Sequence, residues 1–179
     1  IKNFEIPEGT THIDDAEFWG CKSLESVTIP DSVTSIGDDA FYDCYTMSNL
    51  TIGNGVEIIG NRAFYGCEEL ETITIPAGVS SIGREAFAYC YMLQEFVVDE
   101  DNGSYCADDR GVLYSKDKSI LLCSPMGLSG EYTVAEGTKE ILIGAFSGCM
   151  ELTKVILPND LRVIGDRAFK DCVSLKEVN

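Results

Sequence analysis

The chain has a single histidine, His12, and a single tryptophan, Trp19. One histidine leaves a Ser-His-Asp or Cys-His site only one base to use, and no serine or cysteine motif marks a nucleophile beside it. Basic residues are also scarce. Thirteen Lys and Arg stand against 30 Asp and Glu, a formal net charge of −17. Such a surface repels phosphate backbones and anionic bilayers, which argues against nucleic acid as a partner and against direct membrane insertion. No run approaches the ~20 apolar residues that a membrane span requires. No Cys-x-x-Cys pair occurs among the eight cysteines, so they do not read as a zinc site. No catalytic residue, metal or cofactor is expected. The sequence opens on Ile1 without a Met, no signal peptide is visible, and it stops at Val178-Asn179 inside a strand pattern. The expectation is an excised piece of a longer protein.

What the sequence does have is a period. Cys21, Cys44, Cys67 and Cys90 lie 23 residues apart, as do Cys149 and Cys172. Phe18, Phe41, Phe64, Phe87, Phe146 and Phe169 precede these cysteines by three residues. Val27, Leu50, Ile73, Phe96 and Val155 keep the same phase, as do Ile36, Ile59, Ile82 and Ile164. Val27-Thr28-Ile29 alternates in, out, in, which is the mark of a short strand. Pro30, Pro76 and Pro158 end such strands, because proline has no N–H for the ladder. Gly37, Gly60, Gly83 and Gly165 fit a turn needing close approach or positive φ. Asp15, Asp38, Asn61 and Asp166 follow and look like caps on a one-turn helix carrying Ala40-Phe41. One unit cannot bury its own apolar face, so neighbouring units must stack into a continuous core with strands ~4.8 Å apart.

The phase breaks once. From Cys90 to Cys149 is 59 residues, two repeats plus an excess. Residues 99–131 read as an irregular coil in which Gly111–Tyr114, a polar turn and Ile120–Leu122 make an inserted β-hairpin, with Gly111 opposite Cys123. The fold expected is α/β: a right-handed solenoid over residues 1–179 as one domain. It has one parallel sheet, short one-turn helices opposite it, and that hairpin.

The unit Ile29-Pro30-x-x-Val33-x-x-Ile36-Gly37-x-x-Ala40-Phe41-x-x-Cys44 resembles the BspA-like leucine-rich repeats, and the resemblance covers essentially the whole chain. It departs from generic leucine-rich repeats, which carry an Asn or Cys ladder just after the strand where Ser32, Gly55 and Gly78 stand here. The resemblance implies a secreted or surface-attached bacterial protein. It implies a non-catalytic binding or adhesion role toward an extracellular protein or glycan, with no catalytic residues to carry over. A structural spacer displaying another domain, or an accessory domain of a larger enzyme, is the alternative.

The cysteine ladder reads as small buried thiols fitting a coil corner, with disulfides between neighbouring coils as the alternative. Cys106 and Cys123 fall in the insertion, outside the ladder. Asp99-Glu100-Asp101-Asn102-Gly103 has the look of a calcium loop, but its glycine is one place early and Arg110 stands where the bidentate glutamate belongs. It is expected to be a solvated acidic turn. Two surfaces are candidates for binding. The sheet presents Thr28, Thr51 and Thr74 outward, with Glu95 and Lys154 farther along. The opposite turn carries Trp19, Tyr42 and Tyr65, flanked by Tyr45 and Tyr91. Aromatic side chains are enriched at interface anchors, and the plainer reading is that they shield the turns.

Overall fold

The computed structural model describes residues 2–179; Ile1 lies outside the described residues. Each 23-residue unit is one coil of a β-solenoid, with a front strand, a back strand and a broad turn. Coils one to four place front strands at Asn3–Glu5, Ser26–Ile29, Asn49–Ile52 and Thr72–Ile75. Their back strands are His12–Ile13, Ser35–Ile36, Ile58–Ile59 and Ser81–Ile82. Coil five starts with Glu95–Val98. Coils six and seven pair Gly130–Thr133 with Glu140–Ile141 and Leu152–Ile156 with Val163–Ile164, and Glu177–Val178 begins another front strand. Neighbouring repeats pair in parallel and in phase: Val27 lies between Phe4 and Leu50, and Ile36 between Ile13 and Ile59.

The single parallel sheet expected from the repeat is not what forms. The front strands divide into three groups, from coils one to three, four and five, and six onward. The last division has a visible cause. Gly111 accepts the Phe96 N–H at 3.0 Å and stands where the next front strand would pair. The back strands form ladders of their own, which two-residue strands are too short to announce by alternation.

The insertion is a three-stranded antiparallel unit of Tyr105–Ala107, Leu113–Ser115 and Ile120–Cys123, whose last strand pairs in parallel with Glu140–Ile141. The expected hairpin therefore lacked its first strand. Its register was also displaced: a bulge between Leu113 and Tyr114 sets Cys123 opposite Leu113, not Gly111. Asn102 is fully buried, so the run 99–103 is not simply a solvated turn. The Asn102 side chain donates to the Pro76 and Val79 carbonyls and accepts from the Ser104 and Tyr105 N–H groups. One core runs from Ile6 to Leu113 and a second from Val112 to Ala168, meeting at the insertion.

No helix occurs among the described residues, so the fold is a β-solenoid and the one-turn helices are not there. The reason lies in two rows of left-handed residues four positions apart. Ala16, Asp39, Arg62, Glu85, Gly144 and Arg167 form the first, and Gly20, Asp43, Gly66, Tyr89, Gly148 and Asp171 the second, all with positive φ. A left-handed residue breaks the i→i−4 pattern and turns its N–H along the solenoid axis. Asp39, Phe41 and Asp43 donate to the Asn61, Ala63 and Tyr65 carbonyls of the next coil at 2.7 to 2.8 Å. The supposed caps serve the same axis: Asp15, Asp38 and Asn61 accept through Oδ1 from the backbone of Asp38, Asn61 and Arg84. The glycines before them are needed for close approach. A Cβ on Gly60 would lie 2.6 Å from the Gly37 carbonyl carbon.

Candidate functional site: an aromatic ridge on the turns

The turn puts the residue after each ladder phenylalanine on its outer surface, so the period stacks these side chains into a column. Trp19 packs on Tyr42 with ring centroids 4.5 Å apart, and Tyr42 on Tyr65 at 4.6 Å and 4°. The next repeat has Ala88 at that place. Tyr89, one residue later, continues the column at 4.9 Å from Tyr65, and Tyr91 meets it edge-on at 6.0 Å. Tyr89 escaped the periodic reading because it sits out of phase, at a left-handed position held by glycine in three other coils. Cations border the ridge. Arg62 lies over Tyr42 and bonds Asp39, Lys22 lies over Tyr45, and Lys170 lies over Tyr89 while donating to its hydroxyl at 3.0 Å.

Parallel stacking covers ring faces and leaves ring edges and hydroxyls outward. Tyr42, Tyr65 and Tyr89 are half-buried, whereas Trp19, Tyr45 and Tyr91 are exposed. Burial pushes the Tyr65 hydroxyl well above its ordinary range, with Tyr42 and Tyr89 adding to the shift. The Tyr65 hydroxyl is therefore uncharged at neutral pH, able to donate and accept hydrogen bonds.

The front face is different in kind. Thr28, Thr51 and Thr74 are exposed at equivalent places, and Glu95 stands opposite Thr72, two residues earlier in the strand. Lys154 stands in a separate group of strands, between Glu131 at 3.9 Å and Glu177 at 3.3 Å. The structure does not bring Lys154 together with Glu95, and the exposed Val97 lies opposite Thr74.

The cysteine and phenylalanine ladders are interior. Phe18, Phe41, Phe64 and Phe87 stack in near-parallel succession at 4.9, 5.2 and 5.7 Å, and Phe146 stacks on Phe169 at 5.1 Å. All eight cysteines are free thiols. Cys44, Cys67, Cys90 and Cys172 donate S–H to the carbonyls of Phe18, Phe41, Phe64 and Phe146 in the preceding coil, at 3.0 to 3.4 Å. Cys149 has Pro125 O at 3.5 Å and Ser124 Oγ at 3.1 Å instead. Cys21 and Cys172, in the first and last turns of the described stack, are half-buried. Burial pushes Cys44, Cys90 and Cys149 up to about 12. These groups stay protonated and are poor nucleophiles. His12 sits in the first back strand, exposed beside Thr11 and Asp14. Among the described residues, no three His, Cys, Asp or Glu side chains converge as metal ligands would, and no helix is long and apolar enough to cross a membrane.

A family model described as a BspA type leucine rich repeat region matches in six copies over residues 1–106 and 130–179. Among solved structures, the pneumococcal vaccine antigen PcpA is 32% identical with a TM-score of 0.89, covering 94% of this chain and 42% of that one. A leucine rich cell surface protein from Faecalibacterium prausnitzii is 27% identical at TM-score 0.74, covering 100% and 60%. A leucine-rich repeat protein from Eubacterium ventriosum shares the fold at 24% identity and TM-score 0.74. The chain thus spans 42% and 60% of the first two structures it matches. No curated protein matches it.

Proposed function

Since this chain belongs to the family of BspA type leucine-rich repeats, we propose that it is a non-catalytic recognition module, working at the cell surface or outside the cell. Its partner is an extracellular protein, held along the aromatic ridge. The observation that carries this reading is the ridge itself: Trp19, Tyr42, Tyr65 and Tyr89 form an unbroken column across four coils. A specific interface needs ~800 Å² per partner, so a binding stripe must cross several coils. Trp and Tyr are the residues most often found as energetic anchors. The column favours a protein over a glycan. Sugars stack on open ring faces, and here the Tyr42 and Tyr65 faces are taken by neighbouring rings. The cell-surface relative from Faecalibacterium prausnitzii supports the location.

The test is a screen of the chain against extracellular-matrix proteins and glycans, followed by two variants. Joint replacement of Trp19, Tyr42 and Tyr65 by Ala abolishes binding of the captured ligand while the β-sheet circular dichroism persists. Joint replacement of Thr28, Thr51 and Thr74 by Ser leaves binding unchanged. The reverse pattern moves the site to the front face, and a screen with no ligand favours a spacer.

A further inference from the structure

The turn of coil five is cut short, and the cut leaves unused hydrogen-bonding groups in the wall of a cleft. Leu121 pairs with Ile141, and Tyr132 with Val155. The chain spends eleven residues from Leu121 to Tyr132 where coil six spends fourteen from Ile141 to Val155, three fewer. In the coils before it, alternate N–H groups of the turn reach the next coil: Arg62, Phe64 and Gly66 donate to Arg84, Ala86 and Ala88 at 2.8 to 2.9 Å. The equivalent N–H groups of coil four belong to Glu85, Phe87 and Tyr89. They find no acceptor among the described residues. Across the gap, Ser124 supplies a donor to Ala145, but the flanking Ile143 and Ser147 carbonyls receive none.

Between Glu85 and Phe87 on one side and Ile143 and Gly144 on the other lies a cleft of about 350 Å³, within the range of ligand sites. Phe87, Leu113 and Leu122 form its apolar floor, while Glu85, Glu140 and Asp166 outnumber Arg84 at its rim. Phe87 has a stacking partner on one side only in its own ladder; Phe96 covers part of it edge-on at 5.3 Å.

Two of these donors, at Glu85 and Phe87, line the cleft, and donors at alternate residues are what the edge of a sheet offers to an added strand. We propose that this cleft takes a short peptide segment of a partner protein, with a small residue, an aromatic residue and flanking basic residues. Its carbonyls accept from Glu85 and Phe87, its ring lies on Phe87, and its cations meet the acidic rim. The chain contains a pattern for such a ligand. In coil seven, the carbonyls of Asp166, Ala168 and Lys170 accept from Gly144, Phe146 and Gly148, and Phe169 stacks on Phe146. The probe is therefore acetyl-Arg-Ala-Phe-Lys-amide, the sequence of residues 167–170 with an acetyl carbonyl in the place of Asp166.

The experiment is amide NMR and hydrogen exchange on the isotopically labelled chain. Without peptide, the Glu85, Phe87 and Tyr89 amides exchange faster than those of Arg62, Phe64 and Gly66. With peptide, the Glu85 and Phe87 amides shift and exchange more slowly. Acetyl-Arg-Ala-Ala-Lys-amide and acetyl-Glu-Ala-Phe-Glu-amide fail to produce that change. A graft of residues 142–154 in place of 122–131 restores the full-length turn and abolishes the response; the double variant Glu140→Lys, Asp166→Lys weakens it without altering the backbone. Unmoved amides at saturating peptide, an equal response to the alanine peptide, or retained binding by a folded graft each overturn the proposal. The ridge triple variant leaves this response intact, so the two sites stand or fall separately.

Discussion

Tyr89 is a bulky residue in a backbone conformation that suits glycine, with φ at 60°. A left-handed non-glycine residue costs about 1–2 kcal/mol. The tilted ring contact with Tyr65 and the bond from Lys170 offset that cost. Tyr89→Ala keeps the strain and loses the ring, so it destabilises by about 1–2 kcal/mol. Tyr89→Gly loses the ring and relieves the strain, and its loss is smaller. Urea unfolding of the two variants checks this order, and an alanine variant more stable than the glycine one refutes it. In the interior, Phe64 is packed between Phe41 and Phe87. Phe64→Ala costs about 3–5 kcal/mol, because both neighbouring coils lose contacts around a cavity. A measured loss below about 1 kcal/mol places Phe64 outside the core.

At the level of the element, the strand and ladder positions were legible in the sequence, since period 23 keeps Phe41, Cys44 and Val27 in register with their counterparts in neighbouring repeats. The turn was misread for a specific reason. Gly-Asp-x-Ala-Phe looks like a capped helix, and nothing in Asp39, Arg62 or Glu85 advertises a positive φ. Their conformation is set by axial hydrogen bonds to the next coil, which no single repeat contains. The aromatic column was visible up to Tyr65 and lost at Tyr89, where contact in space outlives the period. The strand Tyr105–Ala107 was missed because the insertion has no second copy against which to align it. Its stability depends on a buried polar chain. Tyr132 donates to Asp108 at 2.6 Å, and its hydroxyl lies 2.6 Å from that of Tyr114, which accepts the Ala135 N–H. Tyr132→Phe breaks both links and costs about 1–3 kcal/mol by thermal or urea unfolding. An unchanged midpoint shows the chain to be dispensable.

Across the whole molecule, the free thiols make stability pH-dependent at the alkaline end. Cys44, Cys90 and Cys149 have an ordinary value of 9.0 and are raised to about 12 when folded. Their contribution is fully present below 9 and is lost as pH rises toward 12, because the unfolded chain sheds those protons first. The unfolding free energy therefore falls through that window. Replacing Cys44, Cys90 and Cys149 by Ala flattens the fall, and an equally steep decline in that variant assigns it to the tyrosines instead. Thiol titration of the unfolded chain without reductant recovers at least the six ladder cysteines, while recovery of two or fewer shows bridging between coils.

The hydrogen bonds between coils run along the axis of the stack, and this gives the protein a direction of mechanical weakness. Tension applied end to end loads the rows between coils one after another in series, so the chain pays out coil by coil and does not resist as a block. A gap in these rows lies where coil four meets the shortened turn, since three of the usual bonds are missing there. A stack built this way yields first at that gap, lengthening under tension while the coils on either side stay wound.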